Sequence, residues 1–267
     1  MNIRELQKNW NELGIIDPLW AILSYPDKKG GKWNAEEFFK SGVREISEVM
    51  DYLKKINITY TNRKALDFGC GVGRLTQALA PYFDEIYGID ISPSMIKLAK
   101  NFNRYPGTCQ YILNECDHLR ILPDNSIDFI YTNIVFQHIE PIYTKRYIKE
   151  FLRIMAPGAL ATFQLITKQI GNIHHKTAFA KFRSFFKKVT PNFLLRLYRR
   201  VSNQPECGGG VCGQPIIEMH CISESEMVDL IRNCGGKVLD IVHNDAAGPD
   251  FDSIRCCMTK NTVTEKF

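Results

Sequence analysis

The sequence predicts an α/β fold: a doubly wound sheet of seven strands, mostly parallel with the last strand antiparallel, with helical N-terminal and inserted cap elements. Three observations predict it. From Lys64 onward, short apolar or β-branched runs alternate with helical patterns, the signature of a parallel sheet covered by helices on both faces. The first of these runs enters its helix through three glycines at alternate positions, Gly69, Gly71 and Gly73. The last two runs have no helical pattern between them, so they pair as an antiparallel hairpin at the end of the sheet.

Two helical stretches come first. One carries Leu6, Trp10 and Leu13 at helical spacing, the other Phe39, Val43, Ile46, Met50 and Leu53. The segment between them, DPLWAILSYPDKKGGKW, reads as loop, and residues 1–60 together read as an N-terminal helical cap. Strands follow at 65–68, 85–89, 109–113, 127–131 and 159–165, with helices filling the gaps. Ser92 before Pro93 is a cap and first-turn pair, and Met95, Ile96, Leu98, Ala99 and Phe102 give that helix its apolar stripe. Ser223 with Glu226 makes a capping box, and Gly235 and Gly236 end the helix that follows. The closing hairpin takes 238–242 and 254–258. Residues 61–167 and 219–267 thus form the core. Residues 168–218 are an insertion that a minimal domain of this kind does not need, read as a lid over the ligand edge of the sheet.

At 267 residues, 45% hydrophobic and 24% charged, the chain suits one α/β domain with additions. The N-terminus is polar, and no stretch approaches the roughly 18 uninterrupted apolar residues of a membrane span, so a soluble, cytoplasmic protein is expected. Nine cysteines are an odd number in a chain of this size with no signal peptide, which argues for free thiols rather than a disulfide framework. Cys207, Cys212, His220 and Cys221 cluster in sequence, but their spacing fits no zinc pattern, and no metal is expected. A formal charge of +5 is too small on its own to argue for a polyanionic partner.

The glycine turn is where chemistry begins. Glycines between a strand and a helix permit positive φ and close ligand approach, and the helix start offers free N–H groups. A dinucleotide fingerprint would need its third glycine at position 74, which is Arg74. Asp67 ahead of the turn also argues against phosphate. Asp90, at the end of the second strand, stands at the separation from which an acid reaches both hydroxyls of a ribose, and Ser92 is already available as the helix cap.

From ALDFGCGVGRLT through YGIDISPSMIKLAK the chain resembles the first two motifs of class I S-adenosylmethionine-dependent methyltransferases. NECDHL resembles that family's loop after the third strand, IDFIYTNIVFQHI its fourth strand and following loop, and FLRIMAPGALATF its next helix, turn and strand. The N-terminal segment and EMHCIS resemble parts of a small-molecule, natural-product subgroup. The resemblance implies a Rossmann-like sheet and S-adenosylmethionine as cofactor, with S-adenosylhomocysteine as product. It implies that Gly69, Cys70, Gly71 and Gly73 pass under the methionine part of the cofactor, with Asp67 reaching the ammonium directly or through water. Asp90 would hold the ribose, Ile91 and Met95 would pack on adenine with Cys116 and Asp117 at its edge, and Asn133 would meet the cofactor amine.

Methyl transfer needs alignment and desolvation more than acid–base work, and a general base only where the acceptor arrives protonated. His138, just beyond the fourth strand, is the candidate base or orienting group, and His220 is the second candidate. The insertion carries Phe179, Phe182, Phe185 and Phe186 on one helical face beside Lys181, Arg183, Lys187 and Lys188. It reads as a lid over a small-molecule acceptor, with a membrane surface admitting a lipid or quinone, or a nucleic-acid face, as the competing readings. A non-catalytic binder of the cofactor is the reading from another class. Oligomeric state is not legible in the sequence.

Overall fold

The computed structural model describes residues 1–170 and 215–261. The expected insertion faces, including Phe179 and its neighbours, and Cys207 and Cys212 lie outside the described residues. Residues 1–169 and the described residues from Pro215 onward form one compact unit, so the N-terminal helices are part of the same body as the sheet.

Helix α1 spans Ile3–Ile16 and is closed by a capping box: the Asn2 side chain accepts from the Glu5 N–H, and the Glu5 carboxylate accepts from the Asn2 N–H. The segment expected as loop contains a short helix, α2 (Pro18–Ile22), and a 3-10 turn at Pro26–Lys28. Five residues are too few to show a period, so only Pro18 at the first turn could have announced α2. Asp17 ties this segment down, its carboxylate accepting from Gly30 N at 2.7 Å and Gly31 N at 3.1 Å. Helix α3 (Ala35–Lys55) starts on the Asn34 cap.

The sheet is built from β1 (Lys64–Phe68), β2 (Glu85–Asp90), β3 (Cys109–Leu113), β4 (Ile127–Thr132), β5 (Met155–Gln169), β6 (Gly236–Asn244) and β7 (Phe251–Lys260), in the spatial order β3-β2-β1-β4-β5-β7-β6. β1 to β5 run parallel, and β7 lies antiparallel between β5 and β6. Strand order reverses between β1 and β4, which makes their carboxyl ends the place where such a sheet takes ligands.

The connecting helices are α4 (Arg74–Leu79), α5 (Pro93–Phe102), α6 (Pro141–Ile154) and α7 (Glu224–Asn233). Helix α3 lays Ile46, Val49, Met50 and Leu53 on the sheet face made by Ala65, Phe129, Leu160 and Cys257. The opposite face buries Leu66, Ile130 and Phe163 under Phe151 of α6 and Met227 and Ile231 of α7. These two layers hold the carboxyl edge of the sheet rigid.

Three local expectations are corrected. No helix joins β3 to β4: residues 114–126 are loop, as Pro123 and a left-handed Asn125 (φ 53°) at its end require. β5 begins four residues earlier than the apolar run, because the strand pairs at Met155 and again at Leu160 with an irregularity between, turning at Gly158. The Ser223 box is half made: Ser223 Oγ accepts from Glu226 N, but the Glu226 carboxylate pairs with Lys145 instead of returning to the cap.

Candidate functional site

The glycine turn leaves β1 at the switch point. Gly69 N and Cys70 N both donate to Ile89 O, at 2.8 and 3.0 Å, which binds the turn to the end of β2. Gly69 has φ 74°, and a Cβ there would stand 2.5 Å from Val135, so the position is closed to other residues both by conformation and by space. Gly71 N then donates to Asp90 Oδ2 at 2.8 Å, while Ser92 N donates to Asp90 Oδ1 at 2.8 Å. The carboxylate is thereby clamped at the strand end, and each oxygen keeps a lone pair for a further donor. Burial raises its pKa, and the backbone N–H groups of Ser92, Gly71 and Ile91 oppose that rise.

A cleft opens above this turn. Its wall includes Gly69, Cys70, Gly71, Asp90, Ile91, Met95, Asn133 and His138 among the residues the sequence singled out. Leu6 and Trp10 of α1 and Ala21 and Ile22 of α2 complete it from the N-terminal side. It encloses about 910 Å³, part of it open to solvent. Arg74 is the single Lys or Arg on its wall among the described residues.

Other predicted residues stand elsewhere. Asp67 does not line the cleft: it is 1% exposed, accepts from Thr76 Oγ1 at 2.6 Å and so joins β1 to α4. Burial pushes its pKa up to about 7. A direct contact between its carboxylate and a ligand in the cleft is not available in this geometry. Gly73 sits behind the wall, its Hα side against the Tyr111 hydroxyl. Cys116 and Asp117 also lie off the wall. Cys116 gives its carbonyl to Tyr147 and Asn114, and Asp117 pairs with Arg146. The loop contributes Asn114 instead, which is buried, donates through its side-chain amide to Cys116 O and His118 O, and bonds Asp90 O through its N–H at 2.9 Å.

Sequence reasoning also missed a buried charge network. The Arg74 guanidinium, 3% exposed, pairs with Glu45 Oε2 at 2.7 Å. Glu45 Oε1 accepts from the Tyr131 hydroxyl at 2.9 Å and from the Asn133 amide at 2.8 Å. The next residue, Ile134, holds φ 54°, a strained conformation for a β-branched side chain, at the mouth of the loop after β4. One helix of the N-terminal segment thus fixes Asn133 at the cleft.

His138 is half-buried at the end of this loop's 3-10 turn, Phe136–His138. Its Nδ1 lies 2.8 Å from Glu218 O, so Nδ1 carries the proton and donates to that carbonyl. Nε2 is then the acceptor for the Gln137 amide at 3.1 Å, with the Trp10 ring 5.4 Å from the imidazole. Burial pushes its pKa down to about 4. His220 does not reach the cleft: its N–H donates to Gln137 O and its ring faces Glu218. Among the described residues no group of His, Cys, Asp and Glu is placed to hold a metal ion, and no helix is long and apolar enough to cross a membrane.

The His138 shift carries a pH dependence with a definite sign. The folded imidazole titrates near 4 and the unfolded one near 6.5, so below pH 6.5 the unfolded chain takes up a proton that the folded one refuses. Stability is therefore unaffected above that range and falls as the pH drops toward 4. We expect wild type to lose about 2.5 kcal/mol relative to His138→Gln between pH 7.5 and 4.5. Urea unfolding of both proteins at the two pH values measures it, and a constant difference between them would remove the neutral imidazole.

Residues 66–163 match the family model described as a methyltransferase domain. The chain is 31% identical over 114 residues to a ubiquinone biosynthesis O-methyltransferase of Coxiella burnetii, covering 42% of this chain and 47% of that protein. It is 26% identical over 135 residues to a trans-aconitate 2-methyltransferase of Methylobacterium nodulans, covering 50% of this chain and 49% of that one. The chain spans about half the length of the curated relatives it matches. Among solved structures it superposes on the magnesium protoporphyrin IX methyltransferase of Synechocystis PCC 6803 with a TM-score of 0.58 at 15% identity, over 96% of this chain and 98% of that one. That likeness is one of fold.

Proposed function

We propose that this chain, which carries a methyltransferase domain within a class I S-adenosylmethionine-dependent methyltransferase fold, moves a methyl group from S-adenosylmethionine to an oxygen or nitrogen of a small organic acceptor in specialised metabolism. The observation that carries the reading is Asp90, a half-buried carboxylate at the cleft wall with both oxygens aimed by backbone N–H groups and lone pairs left for a diol. The wall also fits the rest of the cofactor. Among the described residues its one Lys or Arg is already matched by Glu45, so none of them offers the free cation that a diphosphate asks for, while Ile91 and Met95 offer apolar surface to a flat base. A relative named for a small organic acid, trans-aconitate, supports the acceptor class.

When bound, S-adenosylmethionine supplies a methyl carbon that the acceptor's lone pair attacks as the C–S electron pair returns to sulfur, leaving S-adenosylhomocysteine. The protein's own residues orient and dry the site. Asp90 binds the ribose, Gly69 and Gly71 let the backbone approach, and Leu6, Trp10 and Ile22 exclude water from the reacting side. His138, neutral with its lone pair on Nε2 and held near pKa 4, is too weak a base to deprotonate an acceptor and instead orients it, accepting its hydrogen bond once the Gln137 amide yields that position. Incubating the protein with trideuteromethyl-labelled cofactor and host extract tests the reading. Label is expected in the small-molecule fraction. Label in RNA, lipid or protein overturns the acceptor class, and cofactor binding without label in any fraction overturns catalysis.

A further inference from the structure

A second cavity lies beside the first, on the carboxyl ends of β4 and β5. It is lined by Glu45 and Glu48 of α3, Tyr131, Thr132 and Asn133 of β4 and its following loop, Phe163 and Gln164 of β5, Asn244 and Ala246 at the β6–β7 turn, and Arg255 of β7. It encloses about 530 Å³, part of it open to solvent. Asn133 belongs to the walls of both cavities, so the two meet at that residue.

The polar groups of this second cavity are unsatisfied in one sense only. Gln164 is 2% exposed and neither its amide nitrogen nor its oxygen has a partner. Thr132 contributes to the wall at the end of β4, but its side chain alternates to the Ile130 and Phe163 face of the sheet, away from Gln164 and Arg255. Arg255 Nε is buried without an acceptor, and its guanidinium lies over the Tyr52 ring at 4.1 Å with no ion pair among the described residues. A buried polar group left unbonded costs on the order of 1–3 kcal/mol, so the Gln164 amide and the Arg255 Nε–H around one space call for an occupant. The acids do not compete for it. Both Glu45 oxygens are bonded to Arg74, Tyr131 and Asn133, and Glu48 is exposed at the rim. What remains unbonded are the Arg255 Nε–H, with the one positive charge, and the Gln164 amide, its N–H donors and its oxygen.

We propose that this cavity is the acceptor site and that the acceptor carries a carboxylate, held by the Arg255 guanidinium with the N–H groups of the Gln164 amide. A carboxylate offers about four acceptor sites and one negative charge, which suits the forked donors and charge of a guanidinium with an amide N–H beside it. A phosphate dianion would leave a charge unmatched beside Glu45. The acceptor's reacting oxygen or nitrogen then points along the shared wall at Asn133, toward the cofactor cleft. This assignment rests on the methyl-transfer reading above and adds the acceptor's charge to it.

The test divides the small molecules of host extract by ion exchange into anionic, neutral and cationic fractions. Each is incubated with the full chain and trideuteromethyl-labelled cofactor. Label is expected from the anionic fraction alone. Arg255→Met and Gln164→Leu should each lower that labelling at least tenfold, with cofactor affinity by calorimetry unchanged within twofold. Gln164→Leu should not lower the melting temperature, because it removes an amide that has no partner in the free protein. Label from the neutral or cationic fraction, or labelling that survives Arg255→Met, overturns the carboxylate site while leaving the methyltransferase reading intact. Loss of cofactor binding in the wild-type protein would overturn both.

Discussion

Asp90→Ala lowers the affinity for S-adenosylmethionine at least about 100-fold in a protein that remains folded. The carboxylate sits where β2 ends, and its two oxygens are aimed by Gly71 N and Ser92 N at 2.8 Å each. Hydrogen bonds to a charged group are worth about 1.5–3 kcal/mol apiece, and two ribose hydroxyls make two of them. Alanine removes both and also leaves the Gly71 N–H, which sets the turn, without its acceptor. Asp90→Asn separates these effects: its single oxygen keeps one backbone bond and one hydroxyl, and the loss should be nearer tenfold. Isothermal calorimetry on the two variants, with melting temperatures as the folding control, decides it. Unchanged affinity in a folded Asp90→Ala protein would take the ribose away from this residue.

Asp90 was legible in the sequence because its meaning is local: an acid at a strand end, a set distance from a glycine turn, with another residue already serving as the helix cap. The parallel strands and the closing hairpin were legible for the same reason, since each is written in a run of a few residues. That Asp67 stands off the cleft wall was not legible, because β1 is buried on both faces after its first residue and its sequence shows no alternation that would tell which side an acid takes. It turned toward Thr76. Asn114 had a signal that went unread, for it follows the end of β3 as Asp90 ends β2, on the same ligand edge. Cys116 and Asp117 drew attention from it by the family likeness of their loop. Glu45 had no signal at all. It is one of several acids on α3, and what distinguishes it is Arg74, twenty-nine residues away, which sequence reading used only to reject a dinucleotide fingerprint.

That pair carries the second large effect. Glu45→Ala is expected to destabilise the protein by about 3 kcal/mol or more, because it strands a guanidinium that is 3% exposed and removes the acceptor of both Tyr131 and Asn133. The cost comes from the charge left behind rather than from the pair's own attraction, since desolvation offsets much of the Coulomb gain. It follows that removing the second charge should repair most of the damage: the double variant Glu45→Ala with Arg74→Met regains at least about 2 kcal/mol over Glu45→Ala alone. Function should not recover with it. Asn133 stands at the junction of the two cavities and is held there by Glu45 Oε1, so the double variant remains slow in methyl transfer while its stability returns. Urea unfolding of the single and double variants, set beside their turnover, checks both halves. A Glu45→Ala protein within about 1 kcal/mol of wild type would mean that Arg74 finds water, and a double variant that regains full turnover would mean that Asn133 is positioned by its own loop and its strained neighbour Ile134 rather than by α3.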